Sequence, residues 1–408
     1  MPLINKLGAR APARDSALTR LRVVLTVFFA LDGFLFAGWV VRIPAVKQQT
    51  HSSTGALGLA LLGVSAGAVL TMVFTGRLCR RYGSHPVTVA CAVLLSLSIA
   101  LPPLTHSAPA LGAALFVLGA GYGGINVAFN SAAVELVNAL GRPIMPSFHA
   151  AFSLGGMAGA GLGGLVAGQL SPMRHLFGLT LVGLAVTAVA GRVLLRTDPP
   201  TPADDAPRQE GVPRQKGEPG QEGAPRRLDG RTRGLVIVFG LIALCTAYGE
   251  GALADWGALH LQQDLDASPG LAAAGYSCFA LAMTVGRLGG TRLLERLGRT
   301  RTVVAGGTTA ASGMLAGSLA PTVWLVLLGF AVTGLGLANI FPVAIERAGT
   351  AAGPTGVAVA STLGYGGMLL GPPAIGFMAA WFSLPVALTS VAALAAVAAL
   401  VGLTTHRT

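Results

Sequence analysis

The chain has 408 residues, 53% of them hydrophobic and 11% charged, with a net charge of +12 and a mean hydropathy of +0.67. Soluble domains carry about a quarter charged residues, so this composition excludes a water-facing globule, and it excludes disorder over most of the length. Glycine is abundant at 57 residues but follows no Gly-X-Y period, which excludes collagen and leaves a polytopic membrane protein.

A helix needs about 20 mostly apolar residues to cross a bilayer. Twelve such runs follow one another, near residues 21–43, 55–76, 86–104, 109–138, 147–170, 175–195, 234–262, 268–291, 301–319, 321–346, 355–380 and 384–404. The alternation of a β-barrel is absent. The first run follows a basic stretch, as a signal peptide does. It is too long for an h-region and lacks a small-residue cleavage site before a soluble domain, so it reads as a retained helix.

The basic residues stand in short clusters between these runs, which suits membrane orientation better than nucleic-acid binding. With the first run starting inside, 25 of the 28 Lys and Arg fall on the cytoplasmic side, and only Arg42, Lys47 and Arg174 fall outside. The positive-inside rule then puts both termini in the cytoplasm, as an even span count requires. Residues 198–233 hold seven prolines and 14 charged residues with almost no large apolar side chains. They read as a disordered cytoplasmic linker between six-helix bundles at 1–197 and 234–408. Cys79, Cys91, Cys245 and Cys278 are far apart and form no ligand cluster, so neither a disulfide framework nor a metal or cofactor site is expected.

The halves repeat one another. Gly76-Arg77-Leu78 matches Gly286-Arg287-Leu288 at an offset of 210, and Gly83 matches Gly298 at 215, which implies a second loop five residues longer. Gly119-x-Gly121 matches Gly334-x-Gly336 at 215, and Gly155-Gly156-Met157 matches Gly366-Gly367-Met368 at 211. Parallel six-span repeats around a central cavity are a transporter architecture.

On these features the sequence resembles the major facilitator superfamily over nearly its whole length. That family's loop between spans two and three reads approximately Gly-x-x-x-Asp-Arg-x-Gly-Arg. Here Gly76, Arg81 and Gly83 match it, and Arg80 stands at the acidic position. Four phrases resemble one bacterial branch that includes the membrane protein of rhizopine gene clusters and is distantly similar to sugar–proton symporters. They are Trp39-Val-Val-Arg42-Ile-Pro44, Asn126-Val-Ala-Phe-Asn130, Arg142-Pro143-Ile-Met145 leading to His149 and Ser153-x-Gly155, and Glu250-Gly251-x-x-x-Asp255-Trp256. The resemblance implies an all-α membrane protein of twelve transmembrane helices in two six-helix pseudo-repeats. It also implies a secondary transporter working by alternating access.

Ionisable groups at membrane depth carry most of the expected chemistry, since Asp there costs at least about 2.5 kcal/mol. Asp32 lies mid-span, with Trp39 about two turns on along the same face. Glu250 occupies the comparable place in span seven, followed by Asp255 and Trp256. The three acids are candidates for proton coupling, against structural pairing with Arg42 or backbone. Glu250 and Asp255 are five residues apart, about 140° around a regular helix, which argues against one shared role. Trp39, Asn126, Asn130, Trp256, Asn339 and Tyr365 are candidates for substrate contact. Carboxamides at this depth also bridge helices, and tyrosines also pack. Arg42, Arg81, Glu135, Arg142, His149 and Arg287 are gating candidates. Arg42 is alternatively an interface anchor, and His149 a solvated histidine near the cytoplasmic end.

No P-loop and no soluble domain is present to hold ATP, so coupling to protons is expected, worth about 2.3 kcal/mol per charge per 100 mV. The leading expectation is proton-coupled transport of a small solute. The alternatives are a proton-antiport exporter of a drug or secondary metabolite, and a non-transporting membrane sensor. Span five lacks the family's antiporter Gly-Pro, which weighs against the exporter. No nucleophile–base pair or HExxH motif indicates an enzyme. The implied partners are a small-molecule substrate, protons and the lipid bilayer of a bacterial plasma (inner) membrane. No nucleic acid is expected, and the functional unit is expected to be a monomer.

Overall fold

The computed structural model describes residues 10–52, 54–200 and 229–404. Most of the linker expected over 198–233 lies outside the described residues. The fold is all helical, because only a helix satisfies backbone N–H and C=O groups within a single lipid-depth segment. The first set contains α1 (Arg10–Val40), short α2 (Ile43–Gln49), α3 (Thr54–Tyr82), α4 (Ser84–Ser98), α5 (Ala108–Leu140), α6 (Met145–Val166) and α7 (Pro172–Leu195). The second contains α8 (Gly230–Gln263), α9 (Pro269–Leu297), α10 (Arg299–Leu319), α11 (Val323–Leu337), α12 (Ile340–Trp381) and α13 (Leu384–Thr404).

The expected tenth span is built from two helices. It runs through α11, past Ala338 and Asn339, and into the start of α12. The eleventh follows after a turn at Ala352 and Gly353, where Gly353 takes φ +55°, a left-handed conformation that favours glycine. Eight helical stretches among the described residues are long and apolar enough to cross a membrane, one of them the 59-residue run Val323–Trp381 that holds both of these spans. Helices α6, α9 and α10 fall short of that measure. They are the Gly-rich, Thr-rich or Arg-bearing helices.

Packing repeats between the sets. Helix α1 packs on α6 as α8 packs on α12, and α3 packs on α5 as α9 packs on α11. A Cβ at Gly155 would overlap the Ala30 carbonyl, and one at Gly367 that of Leu244. A Cβ at Gly119 would likewise overlap the Val64 carbonyl, and one at Gly334 that of Phe279. Small residues at these points let backbones touch.

This geometry corrects two sequence matches. Helices α3 and α9 are both 29 residues long, so the offset of 215 holds along their whole length and no longer second loop exists. The Gly76/Gly286 match is therefore coincidental. Arg287, expected at the cytoplasmic end of span eight, sits ten residues before the end of α9 at mid-depth. The α1–α6 and α8–α12 contacts also make Ala30 equivalent to Leu244. Asp32 then corresponds to Thr246, and Glu250, one turn further on, corresponds to Phe36.

The two sets meet through α3 against α12 and α6 against α9. Polar contacts between them cluster at the end that carries the first and last described residues. Arg142 donates to Glu295 through Nη2 at 2.7 Å and Nε at 3.0 Å. Arg80 donates to Thr355, and Thr350 donates to Asn138 at 3.2 Å. Arg80 and Glu295 occupy equivalent positions at the ends of α3 and α9. The two closures are therefore pseudo-symmetric copies of one contact. All four tryptophans, Trp39, Trp256, Trp324 and Trp381, lie towards the opposite end of their helices.

Candidate functional site

Between the sets lies a cavity of about 620 Å³, counting the space open to solvent. Phe29 of α1 and Tyr122, Asn126 and Phe129 of α5 line it from the first set, with His149 and Phe152 of α6. From the second set come Ala247 and Glu250 of α8, Arg287 of α9, and Phe341, Ser361, Gly364, Tyr365 and Met368 of α12. Tyr122, Asn126 and Phe129 follow an i, i+4, i+7 spacing, which puts them on one helix face.

Arg287 is the central charge and is only 7% exposed. Its Nη2 donates to Glu250 at 2.7 Å, its Nη1 to Ser153 at 2.8 Å and its Nε to the Ala338 carbonyl at 3.3 Å. Ser153 belongs to the first set, and Glu250 and Ala338 to the second. One guanidinium therefore ties both halves together at the cavity. The Ala338 carbonyl is available because the residue four positions on is Pro342, which has no N–H to donate to it.

Asp32 is fully buried, and neither carboxylate oxygen has a hydrogen-bond partner among the described residues. Tyr122 and Tyr365, whose rings meet across the two sets at 5.8 Å, both lie within electrostatic reach of it. Asp32 thus stands behind the cavity's tyrosine wall. An unpaired ionised carboxylate is among the costliest groups to bury.

Of the expected site residues, Glu250, Asn126, Tyr365, His149 and Arg287 converge on the cavity. His149, weighed at sequence level as a solvated interface group, is buried instead. Its Nε2 has no partner among the described residues, and its ring stands 5.5 Å from Phe29 and 5.7 Å from Phe341. Asn130 turns back along its helix and donates to the Asn126 carbonyl at 2.8 Å. Asn339 donates to the Gly286 carbonyl at 3.0 Å, bridging α9 to the junction before α12. Trp39 is buried in the first set's own core. Asp255 and Trp256 line a separate open groove with Pro373 and Phe377.

The other gating candidates divide by location. Arg142 makes the cross-set ion pair described above. Arg81 stacks over the Tyr82 ring at 5.2 Å, and Glu135 accepts from Ser84 at 2.9 Å within one set. Arg42 is buried and pairs with no acid among the described residues. It donates to His175 at 2.9 Å and to the carbonyls of Ala167 and Val166 at 3.1 and 3.3 Å. These carbonyls end α6, where a cation complements the helix dipole. Arg42 therefore braces α1, α6 and α7 within one half. The sequence reading missed Tyr122, Phe29, Phe152, Phe341 and Glu295 and gave Ser153 no role. The α5 spacing is the one signal that pointed to any of them.

Twelve helical passes in two matching sets, with a polar cavity at the seam, form the architecture of a membrane solute carrier. The sequence profile of the Major Facilitator Superfamily matches residues 23–249 and 239–407. An MFS-type transporter of Yersinia pestis is 33% identical over 370 residues, covering 90% of this chain and 91% of that protein. The membrane protein MosC of Rhizobium meliloti is 28% identical over 355 residues, 86% of this chain and 82% of that one. In three dimensions the chain resembles the E. coli fucose:proton symporter FucP, with TM-score 0.73 at 17% identity over 94% of this chain and 97% of that one. It also resembles the human organic anion transporter MFSD10, with TM-score 0.74 at 15% identity over 94% and 99%. The chain belongs to the Major Facilitator Superfamily and is a multi-pass membrane transporter.

Proposed function

We propose that the protein moves a small polar solute across a bacterial inner membrane by alternating access, with protons carried on Asp32 and Glu250. The observation that carries this reading is the cavity at the seam. It combines the Arg287–Glu250 pair, which also holds Ser153 of the other half, with an unpartnered carboxyl group behind its tyrosine wall. A proton on Glu250 weakens its pair with Arg287 and so loosens the guanidinium that also holds Ser153 of the other half, which links proton uptake to movement between the halves. The proton symporter FucP, similar in fold, is consistent with this coupling.

In this reading both termini and the linker over 198–233 are cytoplasmic, and one chain, with bundles at 1–197 and 234–408, is the functional unit. The cross-set contacts of Arg142, Arg80 and Thr350 then close the cytoplasmic end. Arg287 disfavours a cationic drug as substrate, which counts against the exporter. The test is solute uptake into vesicles containing the purified protein, driven by an imposed pH gradient. Wild type accumulates its solute, and Asp32→Asn and Glu250→Gln fold but do not. Full accumulation by both variants would falsify the coupling.

A further inference from the structure

Arg287 is the strongest recognition element of the cavity. A guanidinium carries five N–H donors in a rigid fork that matches a carboxylate in two parallel bonds. Three donors are engaged, by Glu250, Ser153 and the Ala338 carbonyl. Among the described residues two remain without an acceptor, one on each Nη, and Arg287 lines the cavity. Around them stand Phe29, Phe129, Phe152 and Phe341 and the rings of Tyr122 and Tyr365, which offer flat apolar faces from both halves.

Building on the proton-coupled reading, we propose that the solute is a small monocarboxylate with a flat, ring-like body, which binds Arg287 in the place of Glu250 when Glu250 takes up a proton. The exchange balances. A proton from solution bonds to a carboxylate oxygen of Glu250, the Oε1–Nη2 contact opens, and the solute's two carboxylate oxygens accept from Nη1 and Nη2. One negative charge on the protein is replaced by one on the solute, so the cavity's charge is unchanged. A neutral solute has no reason to displace Glu250, and a cation meets Arg287. An inorganic anion leaves the aromatic walls unfilled.

The other titratable groups facing Glu250 come from four helices. Tyr276 of α9 and Tyr122 of α5 lie within its electrostatic reach. Tyr365 of α12 and His149 of α6 share its cavity, and His149 also faces Arg287. Asp255 lies five residues along α8, in a different groove. His149 and Asp32, which lies behind Tyr122 and Tyr365, are the competing sources of pH dependence.

The experiment measures binding of benzoate to the purified full chain by calorimetry and thermal shift, at mildly acidic and mildly alkaline pH. Benzamide, benzylamine and a neutral hexose serve as comparison probes. Benzoate binds wild type better as pH falls, by at most about tenfold per pH unit, the limit for one linked proton. Glu250→Gln binds benzoate at both pH values with equal affinity. His149→Gln keeps the wild-type pH dependence. Arg287→Gln alone strands Glu250 and threatens folding, so the charge-balanced pair Glu250→Gln with Arg287→Gln is the decisive loss variant, folded and blind to benzoate. Benzoate binding that survives in that double variant overturns the inference. So does binding of benzamide or the hexose with no preference for benzoate, or the absence of any benzoate effect in Glu250→Gln. These outcomes are separate from the vesicle assay. Proton-driven uptake of a hexose would overturn the carboxylate and leave the coupling standing.

Discussion

Where α1 crosses α6, Gly155 lies against the Ala30 carbonyl. Where α8 crosses α12, Gly367 lies against that of Leu244. Counted from these two crossings, the polar chemistry of the halves does not match. The first set has the unpartnered Asp32 where the second has Thr246, and it has Phe36 where the second has Glu250, paired with Arg287. Away from the chain ends, the first set is braced by Arg42 on His175 and the end of α6. The second has His260 between the Asp264 carboxylate at 2.7 Å and the Gly317 carbonyl at 3.2 Å. At the other end, Ser84 meets Glu135 in the first set and Arg299 meets the buried Glu346 at 2.6 Å in the second. The repeated part of the molecule is its backbone contacts. The charges near the cavity are individual to each half, so its two acids sit in different environments.

Substitution at the repeated contacts gives the largest expected effects, and equal ones. Gly155→Val and Gly367→Val each force a side chain into a backbone carbonyl, and overpacking of this kind costs about 1–3 kcal/mol or more. Both variants are expected to lose the monodisperse folded protein in size-exclusion chromatography. Survival of either one breaks the equivalence. Next come the unmatched acids. Asp32→Asn abolishes gradient-driven uptake in vesicles while Thr246→Val at the corresponding position retains it. Equal losses would mean that Asp32 acts through packing.

Smaller effects are expected from the braces. Arg42→Gln removes charge-assisted hydrogen bonds worth about 1.5–3 kcal/mol to a neutral partner's stability, and thermal unfolding should fall accordingly. The smallest stability effect belongs to Arg142→Ala. Its pair with Glu295 is exposed, and exposed pairs contribute about 0.2–1 kcal/mol. Its readout is conformational. Spin labels at the ends of α5 and α9 should report longer distances, and an unchanged distance distribution would remove Arg142 from the closure.

Much of this architecture was legible in the chain. Twelve runs, their duplication and the family phrases follow from hydropathy and glycine spacing, which are local properties. The junction inside the tenth span went unread: Pro342 marks it by removing a helical donor, and the Asn339 bridge to Gly286 is a tertiary contact that only the fold shows. Site residues were legible by type more than by direction. Asp32 and Glu250 stood out because carboxylates are rare at that depth, but the sequence could not tell that Trp39 faces its own core or that Arg42 meets a helix terminus. Arg287 was misplaced because a three-residue match suggested a loop. The equal lengths of α3 and α9, visible only in the fold, put it at the cavity.

The placement of the tryptophans gives the molecule an optical asymmetry. Trp39 is sealed in one half, Trp324 and Trp381 are largely exposed, and Trp256 alone lines the groove beside α12. No indole lies near the closure formed by Arg142 and Glu295. Indole emission is therefore silent to events at that end and answers to rearrangements at the other. A change in Trp256 emission on adding solute would time the movement of the far end without any label.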